Sequence, residues 1–407
     1  MTLNATVTKR NPVVSFFLFS SFLLTIARGA VIPFLAVYIT AAFDESITSA
    51  GLALSLSSIA GIVLSLYAGR LARAKNAWMT IFFLLLLFFL SMFLGALSGG
   101  FATLTFLLIV MNFAYSCIEI LLRTYISSQK GIIDKKKIFS ANYFAVNMGW
   151  ALGPLLGALV QSWQLNAIFY AGAVASLFPL VWLIIRTDVL REFSIQQVKN
   201  NNRLSTDSKT TLRQEDLSSG KLFLLTLASF FGAFVYGNPV AYLSQHLIQH
   251  YSVQTTSSIV ALMMFTNAAV VLLFQHYIIS KITQGNMLKF LMTATGCFVV
   301  GLVIFYHAGE NRPAWIAGMF LFALGEVTFV PALFLITDLI APEHARGRYF
   351  SVQNLGATGA ALSPFVMGYI LSTADSVITF GFLGIIIFFS FLLIYGMRIN
   401  QTKLNGS

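Results

Sequence analysis

The sequence predicts an all-α membrane protein in which twelve transmembrane helices form two pseudo-symmetric halves of six. The chain has 407 residues, of which 57% are hydrophobic and only 10% are charged, whereas a soluble domain carries about 25% charged residues. Its mean hydropathy is +0.82. Apolar runs of about 20 residues, each long enough to cross a bilayer, recur along the whole chain. This composition excludes a soluble globular protein.

The apolar runs fall into two sets of six, separated by one long polar stretch. The first run is too long for the apolar core of a signal peptide, so it predicts a spanning helix. Residues 188–220 are polar without apolar periodicity and predict a flexible cytoplasmic linker. The predicted halves are therefore residues 1–187 and 221–407. The predicted spans are 13–41, 47–69, 77–97, 101–125, 138–162, 167–187, 221–247, 254–280, 286–307, 313–339, 346–372 and 376–398.

The positive charges predict the orientation in the membrane. With the N-terminus in the cytoplasm, the loops on that side carry all but two of the 25 Lys and Arg residues. The exceptions are Arg28, inside span 1, and Arg312, on the outer side. This bias follows the positive-inside rule and predicts an inner-membrane protein with both termini in the cytoplasm. The net charge of +11 then serves contacts with anionic membrane lipids rather than with nucleic acid.

The chain lacks the residue patterns of an enzyme or a cofactor-binding protein. It has no phosphate-binding glycine loop and no cluster of Cys and His at metal-ligand spacing. Cys117 and Cys297 lie inside apolar runs, so no disulfide is expected. His246 and His250, near the end of span 7, are interpreted as interfacial histidines rather than as a metal site. The sequence therefore predicts no enzyme activity, no cofactor and no metal.

Three charged residues, Arg28, Glu119 and Glu326, lie inside predicted spans. A charge at the bilayer centre costs roughly 3 kcal/mol on insertion scales, so such residues face a partner or a water-filled cavity and are functional candidates. We expect all three to take part in proton coupling, because a buried carboxylate influenced by a cation can load and release a proton. The alternatives are structural: Arg28 as a counter-ion between helices, and Glu119 paired with Arg123 one turn further on.

Polar side chains form a stripe along one face of span 1 and of span 4. The stripes are Ser21, Thr25 and Arg28 on span 1, and Asn112, Tyr115 and Glu119 on span 4. Residues three and four apart share a helix face, and polar faces of membrane helices turn towards protein or water rather than lipid. Both stripes are therefore predicted to face the interior of the bundle.

Small residues recur every four positions on three spans and predict closely packed helix faces. Small side chains let two backbones approach. Ordinary helix packing and a sliding contact between two moving halves are both compatible with this pattern. The series are Ser57, Gly61, Ser65 and Gly69 on span 2; Gly149, Gly153 and Gly157, with Pro154, on span 5; and Gly356, Ala360, Pro364 and Gly368 on span 11.

The two halves repeat one motif, which predicts an internal duplication. Gly149-x-x-x-Gly153-Pro154 in span 5 corresponds to Gly359-x-x-x-Ser363-Pro364 in span 11, roughly half a chain length later. Duplicated six-helix units are typical of secondary transporters, with the substrate site between the repeats. The expected packing or gating motif consists of Gly149, Gly153, Pro154, Gly157, Gly359 and Pro364.

The span 5 motif, Gly149-x-x-x-Gly153-Pro154-x-x-Gly157, resembles the major facilitator superfamily, and in particular its drug:proton antiporter branch of twelve helices. Residues 28–35 (RGAVIPFL) of span 1 and residues 324–332 (LGEVTFVPA) of span 10 are similar to further patterns of that branch. The resemblance covers nearly the whole chain and includes the two halves and the long central loop.

One stretch, residues 69–76 between spans 2 and 3, departs from the family. Arg73 stands there where the family usually has an aspartate that latches the cytoplasmic side. Asp338 and Arg346, at the inner ends of spans 10 and 11, could form a cytoplasmic gate instead. The alternative is a plain solvated pair.

The resemblance implies that helices 1, 4, 7 and 10 line a central cavity and that transport proceeds by alternating access. The apolar neighbours of Glu326 suit amphipathic organic molecules. The implied cavity residues are Arg28, Asn112, Tyr115, Glu119, Tyr236, Asn238, Phe322, Glu326 and Phe329.

These patterns together predict a monomeric, proton-coupled antiporter that exports amphipathic organic small molecules, in the manner of a multidrug efflux protein. Its partners would be the small-molecule substrate, protons and membrane lipids. Two alternatives stay open. One is export or flipping of a specific metabolite, siderophore or lipid-linked anion, with Arg28 as the anion contact. The other is proton-coupled uptake of a small anion.

Overall fold

Twelve stretches of a computed structural model of the chain are long and apolar enough to span a membrane. The structure describes residues 12–65, 77–128, 135–186, 220–342, 349 and 352–397. Throughout these residues the regular elements are helices, and they contain no strand. The predicted fold class, an all-α membrane protein of twelve spans, is confirmed.

In the described part of the chain, fourteen α-helices build the twelve spans, because the first span of each half is interrupted. In span 1, a short 3-10 turn, Ile32–Phe34, separates α1 from α2. A second 3-10 turn, Leu355–Ala357, belongs to span 11 and precedes α13. The helices are α1 (Pro12–Val31), α2 (Leu35–Phe43), α3 (Ile47–Ser65), α4 (Ala77–Ala96), α5 (Phe101–Ser128), α6 (Lys135–Gln161), α7 (Ala167–Ile185), α8 (Gly220–Tyr236), α9 (Pro239–His250), α10 (Val253–Lys281), α11 (Met287–His307), α12 (Arg312–Ile340), α13 (Thr358–Thr373) and α14 (Ser376–Gly396).

Span 7 differs from its prediction as one continuous helix over 221–247. Gly237 and Asn238 leave the helical conformation between α8 and α9, and Asn238 has φ −152° and ψ 55°. Pro239 explains the break, because proline has no N–H and its ring clashes with the preceding turn of a helix. Pro33 lies in the 3-10 turn of span 1. A proline therefore interrupts the first span of both halves.

Large apolar side chains cover much of the helix surface, as a lipid environment requires. Leu273 is 73% exposed and Ile385 is 70% exposed, with many Phe, Leu and Val residues like them. Soluble monomers rarely expose apolar patches of this kind. The chain is a multi-pass membrane protein.

The chain forms two compact units. The first comprises Met1–Asp44 and Leu56–Thr211, and the second comprises Glu45–Ser55 and Leu212–Ser407. The start of α3 therefore groups with the second unit, although it belongs to the first half in sequence. The predicted linker, up to residue 219, lies outside the described residues.

In the first unit, the small face of α6 packs against α1. A Cβ atom added to Gly149 would lie 2.7 Å from the Thr25 Cβ, and one added to Gly153 would lie 2.7 Å from the Ile26 carbonyl oxygen. Gly157 meets the Ala30 carbonyl in the same way. Any larger side chain at these positions would push the two helices apart.

In the second unit, α13 packs against α8 through a corresponding glycine face. The Phe230 carbonyl of α8 occupies the space of a side chain at Gly359. Further along α13, Ser55 of α3 accepts a hydrogen bond from the Phe365 amide at 3.0 Å. Gln245 Nε2 of α9 donates to the Pro364 carbonyl at 3.0 Å. The region around Pro364 thus joins α3, α9 and α13.

Candidate functional site

The first unit contains an arginine cluster, formed by Arg28, Asn112, Tyr115 and Trp150. Arg28 lies in the last turn of α1, and its Nη2 donates to Asn112 Oδ1 of α5 at 3.1 Å. Its guanidinium carbon is 4.0 Å from the Tyr115 ring centroid and 5.9 Å from that of Trp150. Aromatic faces attract cations through their quadrupole. One amide and two aromatic rings therefore hold this cation in the membrane.

Asn112 is fixed by a close approach of α3. A Cβ atom at Gly61 would lie 2.9 Å from the Asn112 Cβ, so only glycine lets α3 come this near. The Asn112 side chain is 6% exposed. Arg28 Nε is fully enclosed and has no hydrogen-bond partner among the described residues. An enclosed donor without a partner is costly, and such costs are concentrated at functional positions.

Glu119 lies on the same face of α5 and is bonded to α1. Ser21 Oγ donates to Glu119 Oε1 at 3.0 Å, and both side chains are buried. The polar stripes predicted on spans 1 and 4 thus meet each other inside the first unit. The Arg123 side chain lies outside the described residues, so its pairing with Glu119 stays a prediction.

The second unit contains a carboxylate cluster, formed by Tyr236, Asn267 and Glu326. Asn267 Nδ2 of α10 donates to Glu326 Oε2 of α12 at 3.0 Å. Tyr236, the last residue of α8, is close enough to interact electrostatically with the Glu326 charge. Its ring stacks on Phe298 of α11, with centroids 5.9 Å apart and an interplanar angle of 16°. Four helices therefore contribute to the surroundings of one carboxylate.

Glu326 has an amide but no cation beside it. Among the described residues of the second unit, no Lys or Arg forms an ion pair with this carboxylate. A lone charge at bilayer depth costs roughly 3 kcal/mol or more. Uptake of a proton, or arrival of a cationic or hydrogen-bond-donating ligand, removes that cost. The carboxylate cluster is chemically suited to either event.

Phe322 and Phe329 lie behind this cluster rather than at an open surface. Both are 0% exposed, and their rings meet Phe298 edge-on at centroid distances of 4.8 Å and 6.1 Å. Phe329 also contacts Tyr236 at 5.8 Å. The structure therefore places these two predicted cavity residues as a rigid support for the Tyr236 ring.

The break in span 7 lies next to Tyr236 and is exposed. Gly237 is exposed, whereas Tyr236 and Asn238 are partly buried. The Tyr242 hydroxyl donates to the Val235 carbonyl at 3.0 Å, which satisfies one of the groups at the end of α8. Non-helical backbone at membrane depth is tolerated only inside protein or along a water-filled cavity. The exposed Gly237 at this break is therefore expected to face a water-filled cavity rather than lipid.

Sequence reasoning missed Asn267, Trp150 and the interruption of span 7. Asn267 is an isolated amide in the middle of a long apolar helix, which is the same kind of signal as the three charges. The sequence Gly237-Asn238-Pro239 joins a turn residue to a proline at the first position of a helix, a recognised breaking pattern. Trp150 gave no such signal, because a tryptophan in a spanning segment is most simply interpreted as an interfacial residue.

Two further predicted features lie partly or wholly outside the described residues. Asp338 is on α12, but Arg346 is not described, so their pairing as a gate stays a prediction. The motif over residues 69–76, which departs from the family pattern, also lies outside the described residues.

His246 and His250 face each other on α9 with ring centroids 4.8 Å apart. Among the residues that the structure describes, no three His, Cys, Asp or Glu side chains are grouped so that they could hold a metal ion.

Known protein sequences resemble this chain over most of its length. Residues 17–359 match the sequence profile of the Major Facilitator Superfamily. The chain is 30% identical over 385 residues to a protein of Escherichia coli (strain K12) named uncharacterized MFS-type transporter YdeE, covering 93% of this chain and 94% of that protein. It is 25% identical over 348 residues to the MFS-type transporter YqjV of Bacillus subtilis (strain 168), covering 84% and 82%.

Solved transporter structures share the fold. The peptide transporter POT (E310Q mutant) superimposes with a TM-score of 0.73 at 14% identity, covering 95% of this chain and 94% of that one. The nucleoside transporter NupG gives a TM-score of 0.70 at 15% identity, covering 96% and 100%. A D-xylose-proton symporter gives 0.70 at 14%, covering 94% and 96%. At these identities the likeness concerns the fold alone.

Proposed function

The chain belongs to the Major Facilitator Superfamily of membrane transporters, and we propose that it exports amphipathic organic small molecules across the inner membrane in exchange for protons. Membership of this family makes it a transporter of small molecules and not an enzyme. The proposal adds the direction, the coupling ion and the substrate class. It assigns the proton to Glu326, with Arg28 and Glu119 as the accompanying buried charges.

The environment of Glu326 is the observation that carries the proposal. The carboxylate lies midway along α12, accepts a hydrogen bond from an amide and has no cation beside it among the described residues of its own unit. In that setting the neutral, protonated form is favoured unless water or a partner stabilises the charge. Alternating exposure to the two sides of the membrane would therefore change its protonation. A proton and a substrate that use the same centre compete, which is the logic of antiport.

The neighbours of Glu326 support an amphipathic substrate. Tyr236 presents an aromatic ring, and the exposed Gly237 lies at the break of span 7. Binding sites for organic molecules combine largely apolar walls with a few polar groups. The carboxylate and the Tyr236 hydroxyl supply such polar groups, while the rings of α11 and α12 keep the wall rigid.

Proteoliposomes with an acidic lumen test this function. We expect the wild type to accumulate ethidium, a lipophilic cationic dye, in the lumen as protons leave. Glu326→Gln mimics the protonated state and should lose this accumulation. Glu310→Gln is the matched control, because Glu310 lies exposed in the turn between α11 and α12. Accumulation at the wild-type rate by Glu326→Gln would leave the mechanism without its proton carrier.

A second candidate function follows from Arg28. Its guanidinium is enclosed by Asn112 and two aromatic rings, and its Nε has no partner among the described residues. A specific anionic metabolite, siderophore or lipid-linked anion could be the cargo of such a cation, by export, by flipping or by proton-coupled uptake. A screen of anionic compounds as inhibitors of ethidium accumulation separates the two. If a single anion inhibits ethidium accumulation, and this inhibition disappears in Arg28→Ala, the second function is favoured.

A further inference from the structure

We infer that Asn267 is a positioning residue for Glu326: it holds one carboxylate oxygen in both protonation states and leaves the other oxygen open. The inference rests on the proposed role of Glu326 as the proton carrier and adds a residue on a different helix. Asn267 Nδ2 lies 3.0 Å from Glu326 Oε2. Each residue is near the middle of a 29-residue helix, α10 or α12, so the pair lies deep in the membrane.

The two oxygens of the carboxylate have different surroundings. Oε2 accepts the Asn267 hydrogen bond. Oε1 accepts none from the described residues, and it is not among the fully enclosed polar atoms that lack a partner, so part of its surface is accessible. A proton or a ligand can therefore reach Oε1 directly. By anchoring Oε2, Asn267 determines that Oε1 is the oxygen that receives the proton or the ligand.

An amide can serve both charge states of the carboxyl group. When Glu326 is ionised, the Nδ2 amino group donates to the carboxylate. When Glu326 takes up a proton on Oε1, Oε2 becomes the carbonyl oxygen of the acid and still accepts from Nδ2. A leucine of similar size can do neither, and an aspartate would add a second negative charge. Asn267 thus keeps the carboxyl group in one orientation while its charge changes.

Helices α8, α10 and α11 pack against α12 around this pair. Tyr236 of α8 is the titratable group that interacts with the Glu326 charge. Cys297 of α11 precedes Phe298, whose ring stacks on Tyr236. On α8, α10 and α12 the other titratable or charged residues are at least eight residues, or about 12 Å of helix rise, from the cluster residue of their helix, and on α11 they are at least eight residues from Phe298. They are Lys221 on α8; His276, Tyr277 and Lys281 on α10; Lys289, Tyr306 and His307 on α11; and Arg312 and Asp338 on α12.

Infrared spectroscopy of the full chain in nanodiscs tests the inference without a substrate. The carboxyl band of protonated Glu326 is identified by its loss in Glu326→Gln and followed against pH. Asn267→Leu should move the midpoint of this titration upward by about one pH unit, because a hydrogen bond to a charged group is stronger than one to a neutral group by about that much. Thr266→Val is the control, since Thr266 donates to the Leu262 carbonyl of its own helix. An unchanged midpoint in Asn267→Leu would overturn the inference.

A second variant covers the possibility that Asn267→Leu does not fold. Asn267→Asp keeps the shape of the side chain and places two carboxyl groups in contact. Two such groups share a proton and titrate in two coupled steps. Two independent titrations would show that the side chains do not touch, and would overturn the inference.

The ethidium assay and the infrared titration test different claims, so one claim can be rejected without the other. Undiminished ethidium accumulation by Glu326→Gln would reject the proposed function, whereas the infrared midpoint reports the contact of Asn267 with Glu326 whether or not transport depends on it. A normal midpoint in Asn267→Leu, together with lost accumulation in Glu326→Gln, would reject the positioning role alone.

Discussion

Arg28 and Asn112 are joined by a hydrogen bond of 3.1 Å between α1 and α5. In the second unit, Glu326 and Asn267 are joined in the same manner by a bond of 3.0 Å between α12 and α10. In each unit one buried charge is thus held by an asparagine from a neighbouring helix, which accepts from the cation in one and donates to the anion in the other. A neutral amide solvates a charge without cancelling it. Both charges therefore stay able to respond to a ligand or a proton.

Asn112→Asp should separate the structural role of Asn112 from its role in transport. The new carboxylate would form an ion pair with Arg28 and keep the two helices together, so thermal stability in detergent should be retained. Ethidium accumulation in proteoliposomes should fall at least tenfold, because the cation is then neutralised. Asn112→Leu should lose stability as well, by about 1.5–3 kcal/mol, the worth of a hydrogen bond to a charged group.

Thr105→Val is the control for both Asn112 variants. Thr105 lies on the same helix and donates only locally, to the Phe101 carbonyl at 2.9 Å, so its replacement should leave transport unchanged. Full accumulation by Asn112→Asp would show that the free charge of Arg28 is not needed.

Gly153→Leu should disrupt the packing of α6 on α1. The side chain would meet the Ile26 carbonyl and the Gly29 backbone, which a Cβ atom already approaches to 2.7 Å and 2.8 Å. Overpacking of this kind typically costs about 1–3 kcal/mol, and transport should fall more than membrane insertion does. Gly296→Leu on α11 is the matched control, because nothing lies within 4 Å of a Cβ atom there. Unimpaired transport by Gly153→Leu would indicate that this face tolerates bulk.

Gly51→Ala should destabilise the second unit although alanine is the better helix former. A Cβ atom at Gly51 would overlap the Pro364 carbonyl and lie 2.8 Å from Gln245 Nε2, so the start of α3 must move away from α13. Gly296→Ala should instead gain up to about 1 kcal/mol from helix propensity alone. Opposite shifts in melting temperature in detergent are therefore expected. Equal gains in both variants would contradict the close contact of Gly51.

Cysteine labelling tests the orientation predicted from the basic residues. In a chain without its native cysteines, Asp44→Cys in the exposed turn before α3 should react with a membrane-impermeant reagent added outside intact cells. Lys136→Cys should react only after the membrane is opened, because the run of lysines there is predicted to face the cytoplasm. If a reagent added outside labels position 136 but not position 44, the predicted orientation is wrong.

Much of the candidate site could be predicted from sequence, because charge and periodicity in a membrane helix carry strong constraints. The stripes on spans 1 and 4 were visible from spacing alone, and the structure joins them through the bond between Ser21 and Glu119. Phe322 and Phe329 were expected at a cavity surface, yet both are fully buried. An apolar side chain in a membrane helix is compatible with lipid, core or cavity, so its sequence position does not decide between them.

The sequence by itself determined the class, the number of spans and the identity of the buried charges. The bilayer imposes these features one helix at a time, through length and hydropathy, so no knowledge of neighbouring helices is required. Only the tertiary structure decided which partner each charge has. Asn267 meets Glu326 across 59 positions of sequence, and Asn112 meets Arg28 across 84. Such pairs depend on how helices are rotated and packed, and that is settled by close contacts such as Gly61 against Asn112, which no single helix encodes.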